Sequence, residues 1–74
     1  MTHKTYVIVD QATQEFFSHW DKNDAIFSSE LCDALIHPGS GTLQSLRNRI
    51  ELCLKSLGKP RKLSVCVSHK FKEQ

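Results

Sequence analysis

"TLQSLRNRIELCLKSLGKP", residues 42–60, carries the strongest periodicity in the chain. Projected at about 100° per residue, Leu43, Leu46, Ile50, Cys53, Leu54 and Leu57 fall on one arc roughly 100° wide, which is the pattern of an amphipathic helix. Thr42 is placed to cap its start. Gly58, which tolerates left-handed backbone, and Pro60, which cannot continue a helix, mark its end. Leu52 does not share the arc: it projects to the far side, among Ser45, Asn48, Lys55 and Ser56. A helix with one broad apolar stripe needs a second layer to cover it.

The flanking segments supply that layer. Downstream, "KLSVCVSHKF" (62–71) alternates Leu63, Val65, Val67 and Phe71 against Lys62, Ser64, Cys66, Ser68 and Lys70, the period-2 pattern of a half-buried strand. Upstream, "KTYVIVD" (4–10) is a β-branched run, "DQATQ" suits a hairpin turn, and "QEFFSHW" (14–20) reads as a second strand. Strict alternation places Phe16 and Trp20 on one face of that strand and Phe17 with Glu15 on the other. "DKND" (21–24) breaks the run and "AIFSS" (25–29) offers a third short strand. Ser28 or Ser29 can cap a short helix "ELCDALI" (30–36), with Leu31, Ala34 and Leu35 on one face, before Pro38 and the glycines of "HPGSG" (37–41) redirect the chain. The order β-β-(β)-α-α-β predicts an α+β fold: a small antiparallel sheet of three to four strands with two helices on one face, the last strand pairing with the first.

With 74 residues, the chain makes a single small domain. Cys32, Cys53 and Cys66 cannot all pair internally and show no C-x-x-C spacing, which suits thiols in a reducing compartment. No apolar run approaches the roughly 18 residues of a membrane span, and "MTHKTYVIVDQ" lacks the basic-then-apolar order of a signal peptide. A cytoplasmic protein without membrane contact is expected. Charge is divided along the chain: residues 1–40 hold two lysines against six carboxylates, net −4, whereas residues 41–74 hold eight cations against Glu51 and Glu73, net +6. Such asymmetry suits an electrostatically complementary partner or contact between copies, unless the fold interleaves the two halves.

Catalytic and metal-binding patterns are missing from the sequence. His3, His19, His37 and His69 have no His or Cys neighbour at ligand spacing, so no metal or cofactor is predicted. "HPGSG" precedes a helix but lacks the spacing and the lysine of a phosphate-binding loop. The basic residues Arg47, Arg49, Lys55, Lys59, Arg61 and Lys62 do not form one stripe, and no aromatic is interleaved among them as a stacking platform for single-stranded nucleic acid. Leu52 on the wet face of the helix and Trp20 beside an acidic turn point instead to protein contact.

The segment "YVIVDQATQEFFSHWDKNDAIFSS" (6–29) resembles the start of small proteins encoded by phages, prophages and other mobile elements. The resemblance covers about a third of the chain and implies a class of role: stoichiometric binding that blocks or redirects a host machine, as anti-CRISPR proteins do. No functional residue carries over from it. The sequence thus predicts a non-enzymatic protein-binding module acting in a bacterial cytoplasm on a host protein or complex. Its partner-binding candidates are Trp20, Asp21, Asp24, Glu30, Asp33, Arg47, Arg49, Leu52 and Lys55. The alternative is DNA or RNA binding by the C-terminal half through Arg47, Arg49, Lys59, Arg61, Lys62, Lys70 and Lys72. Self-association through the oppositely charged halves is a third expectation.

Overall fold

Four strands form one antiparallel sheet: β1 (Tyr6–Asp10), β2 (Phe16–Asp21), β3 (Asp24–Ser28) and β4 (Leu63–Val67), in the order β3-β2-β1-β4. The computed structural model describes residues 4–22 and 24–68. The first strand and the last do pair, from Tyr6 with Val67 to Asp10 with Leu63. One helix, α1 (Ser40–Ser56), lies across a single face. Helix α1 starts two residues before Thr42, with the extended Gly39 as its cap residue and no side-chain cap. It ends as the sequence predicts: Gly58 takes φ +76°, and the Lys59 amide donates back to the Leu54 carbonyl at 2.9 Å, closing the last turn.

The second predicted helix is not formed. Residues 31–33 make one 3-10 turn, and the chain then runs extended to His37 on the opposite face of the sheet from α1. The sheet itself explains this. Strands β1 and β2 pair at Val9 and Phe16 and then separate, and the backbone of residues 35–37 fills the gap. The Leu35 amide donates to the Phe17 carbonyl at 2.9 Å, while Tyr6 and His37 exchange hydrogen bonds of 2.8 and 3.1 Å. Buried backbone groups demand such partners, and Pro38 disfavours helical geometry at His37, so a seven-residue helix loses to an extended plug. Neither serine caps the turn, whose cap residue is Glu30; the Ser28 hydroxyl instead accepts from the Glu30 amide at 3.1 Å and donates to Asp33 at 3.2 Å.

The sheet separates two apolar clusters. On the α1 side, Ile8, Phe17, Ala25 and Leu63 pack with Leu43, Ile50 and Leu54, with Tyr6, Phe27, Leu46 and Val65 at the margin. On the other side, Val7, Val9 and Phe16 pack with Leu31, Ala34 and Cys66. Phe16 and Trp20 were expected to share a face, and they do not. Phe17 pairs with Phe27 but His19 pairs with Ile26, so Ser18 is an extra residue and the alternation shifts by one. Phe17 and Trp20 therefore both face α1, their rings 5.7 Å apart edge to face, and Phe16 faces away.

A buried ion pair closes one end of the sheet. One oxygen of Asp10, a residue only 2% exposed, accepts from the Ala12 and Thr13 amides at 2.8 and 3.3 Å and so fixes the β1–β2 turn. Its other oxygen lies 2.7 Å from Arg61, which also reaches Glu15 at 3.1 Å and lies 4.3 Å above the Phe27 ring. Burial alone would push the Asp10 carboxyl upward, but the Ala12 amide, Arg61 and the Thr13 amide favour the ionised form and hold it below the usual carboxylate value.

Two outcomes follow from this packing. Leu54→Ala should cost about 2–5 kcal/mol in urea unfolding, whereas Leu52→Ala, on the far side of the same helix, should stay within about 0.5 kcal/mol. Because Asp10 titrates lower in the folded chain than in the unfolded one, its stabilising contribution is full above about pH 4 and is lost as pH falls through the folded value. Asp10→Asn should lower stability at neutral pH by about 2–3 kcal/mol, less than for a fully buried pair since Arg61 is one-third exposed, and should flatten the acid decline.

Candidate functional site

The Ser18 bulge and the phase of α1 build the most distinctive surface. Trp20, turned toward α1 and 37% exposed, lines a shallow hollow of about 380 Å³ with Lys22, Arg49 and Cys53. Lys22 occupies the β2–β3 turn with φ +60°, a left-handed conformation that tight hairpins require. Arg49 and Cys53 stand one helical turn apart on the flank of α1 above β2 and β3. The outer face of the helix continues from there: Leu52, 69% exposed, lines a second hollow with Asn48, Glu51 and Lys55. Lys22, Arg49 and Lys55 make no ion pair among the described residues. The result is two hollows served by α1: one sets Trp20 beside Lys22 and Arg49, and the other sets Leu52 beside Lys55 and Glu51, whose carboxylate Arg47 already holds.

Other charged candidates have partners inside the molecule. Arg47 lies 3.1 Å from Glu51 and donates to Asn48 at 2.7 Å. Lys59 lies 3.5 Å from Asp24, and Arg61 is held by Asp10 and Glu15. The Asp10, Glu15 and Asp24 pairs each join the acidic half of the chain to the basic half, so folding interleaves much of the charge asymmetry. Lys62 is exposed; Lys70 and Lys72 lie outside the described residues.

Nor do the acidic candidates form one patch. Asp21 and Asp24 face each other across the β2–β3 turn, while Glu30 and Asp33 belong to the 3-10 turn beyond the far end of β3. Four strand residues at about 3.3 Å each put roughly 13 Å between those ends. The structure therefore brings Trp20 and Arg49 together with Lys22, sets Leu52 and Lys55 together in a second hollow, and leaves Glu30 and Asp33 on the other side of the sheet. Lys22 was missed because its role comes from a two-residue turn that aims it back beside Trp20. Its signal in the sequence was the "DKND" break itself.

Among the described residues, no three His, Cys, Asp or Glu side chains gather as a metal site, and no helix is long and apolar enough to cross a membrane. Cys32, Cys53 and Cys66 form no disulfide. Comparison with protein-family models, with curated proteins and with solved structures found no match to this chain.

The cationic rim is open to direct measurement, because Trp20 is the one tryptophan of the chain. At low ionic strength, iodide should quench its fluorescence more strongly than caesium does, since Lys22 and Arg49 concentrate anions beside the ring. Lys22→Ala and Arg49→Ala should each narrow that difference. Equal quenching by the two ions in the unaltered protein would contradict a basic setting for Trp20.

Proposed function

We propose that this protein is a non-enzymatic docking module whose α1 face binds a protein partner presenting carboxylates around an apolar hollow. The observation that carries this reading is the placement of Trp20, 37% exposed, between Lys22 and Arg49, with Leu52, 69% exposed, beside Lys55 on the outer face of the same helix. Exposed apolar side chains favour association, and tryptophan and arginine are both enriched among interface hot spots. The unpaired cations would raise the rate of encounter and select an acidic partner. Encoded by a phage or other mobile element, such a module would act by stoichiometric blockade of a host machine, the anti-CRISPR-like role that residues 6–29 suggest by resemblance.

Nucleic-acid binding is the weaker reading on the same evidence. Arg47, Lys59 and Arg61 have carboxylate partners within the molecule, so few of its described candidates are available to neutralise phosphates. Trp20 would be a solitary stacking platform rather than one of a series.

Affinity capture from a bacterial lysate at moderate salt, with and without nuclease, tests the proposal when run beside Leu52→Glu and Arg49→Glu. Both substitutions lie on solvent and should leave the fold within about 0.5 kcal/mol. The expected result is a protein retained in near-equal amount after nuclease, with affinity falling at least about tenfold in each variant and about thirtyfold for Trp20→Ala. Asp21→Lys should have a smaller effect, since Asp21 lies beside Trp20 but outside the cationic rim. Retention of nucleic acid alone, or of a protein held equally by the variants, would overturn the proposal.

A further inference from the structure

Strand β4 is an outer strand of the sheet, and among the described residues no other strand pairs with its open side. Sheet edges of this kind are normally blunted by charge, proline or a bulge. Leu63–Val67, "LSVCV", contains no charged residue and no proline, and its register with β1 runs without a shift.

The hydrogen bonds show which groups of β4 point outward. The Gln11 amide donates to the Lys62 carbonyl at 2.9 Å and the Ser68 amide to the Thr5 carbonyl at 2.8 Å. In an antiparallel ladder the bonded pairs alternate, so Lys62, Ser64, Cys66 and Ser68 turn their backbone groups toward β1, and Leu63, Val65 and Val67 turn theirs away. Two contacts corroborate this phase: the Leu63 amide donates to Glu51 at 3.0 Å, and the Leu63 carbonyl faces Arg47 at 3.5 Å. Helix α1 thus covers the edge at Leu63. Among the described residues, the amides and carbonyls of Val65 and Val67 remain open.

We infer that this edge pairs with the same edge of a second copy, in a two-fold register centred on Cys66. That register sets Val65 opposite Val67 of the partner subunit and Val67 opposite the partner subunit's Val65, so all four open groups on each copy gain a partner. A register centred on Val65 would instead need the Leu63 groups that Glu51 and Arg47 already hold. The Val65 and Val67 side chains, which share the α1 face, would form apolar cross-strand pairs. Cys66 would face its own counterpart in a non-bonded pair, with Cα atoms about 4.5 Å apart, within the roughly 4.4–6.8 Å that a disulfide spans. Small domains commonly gain stability by self-association. The pairing leaves the Trp20 face open on both copies, since Arg49 and Cys53 lie on the other flank of α1, and it stands or falls independently of the proposed function.

Light scattering coupled to size exclusion, from low-micromolar to near-millimolar protein, should show a shift from monomer to dimer. Val65→Pro should abolish the shift while circular dichroism stays native, because the amide it removes bonds nothing among the described residues. Chemical crosslinking fixes the register without relying on that variant. In a Cys32→Ser, Cys53→Ser background, diamide should oxidise the two Cys66 thiols of a dimer, taking two protons and two electrons and leaving one S–S bond. Covalent dimer should be the main product. Moving the cysteine by Cys66→Ser with Ser64→Cys should give no covalent dimer under the same treatment. A monomer at every concentration with no Cys66 crosslink would overturn the inference, and efficient crosslinking from position 64 would overturn the register.

Discussion

One extra residue in β2 governs how this molecule meets its surroundings. A strand presents its side chains to alternate faces, so an insertion reverses the assignment of everything beyond it. Ser18, unpaired between Phe17 and His19, reverses β2 after the residues that build the core. Phe17 can then pack under α1 while Trp20, three positions on, still faces the same helix. With strict alternation, one of these two aromatics would lie on the opposite face, with Phe16 and the 3-10 turn. The half-exposed tryptophan beside Arg49 and Lys22 is a consequence of that single local irregularity, and bulges of this kind commonly re-aim a side chain.

Holding the bulged strand in place is the task of a second device, the pair between Asp10 and Arg61. These residues are fifty-one positions apart, yet their contact ties the β1–β2 turn, through Glu15, to the segment that leads from α1 into β4. Asp10 satisfies two turn amides as well as the guanidinium, and the Phe27 ring covers the cation, so the charges are removed from water only where each has partners. The same pair explains why the division of charge along the chain does not become a division across the surface. Carboxylates of the first half neutralise cations of the second, and the cations left without partners among the described residues include Lys22 and Arg49 beside Trp20 and Lys55 beside Leu52.

Much of the frame is legible in the sequence because it rests on local pattern. The leucine and isoleucine spacing of residues 43–54 fixes the buried face of α1, Gly58 its end, and the β-branched alternation of residues 63–67 the last strand. The exposure of Leu52 follows from the same projection. What escaped the sequence depends on partners far along the chain. Residues 30–36 have helical composition, but the separated backbones of β1 and β2 recruit residues 35–37 as an extended plug, and no local pattern reports that demand. Arg61 reads as one more cation of a basic run until Asp10 and Glu15 are placed beside it. Ser18 carries no signature of a bulge, so strict alternation put Trp20 on the face of Phe16.

The claim on which the functional account rests is therefore that Trp20 lies on the α1 side of the sheet, next to Arg49 and Cys53. The most direct test is a nuclear Overhauser spectrum of the labelled protein, read at the indole ring, which is unambiguous because the chain has one tryptophan. Cross-peaks from the indole to the side chains of Arg49 and Cys53, and to the Phe17 ring, are the result this account predicts. Cross-peaks to Leu31 and Ala34 would place Trp20 on the opposite face and would contradict it.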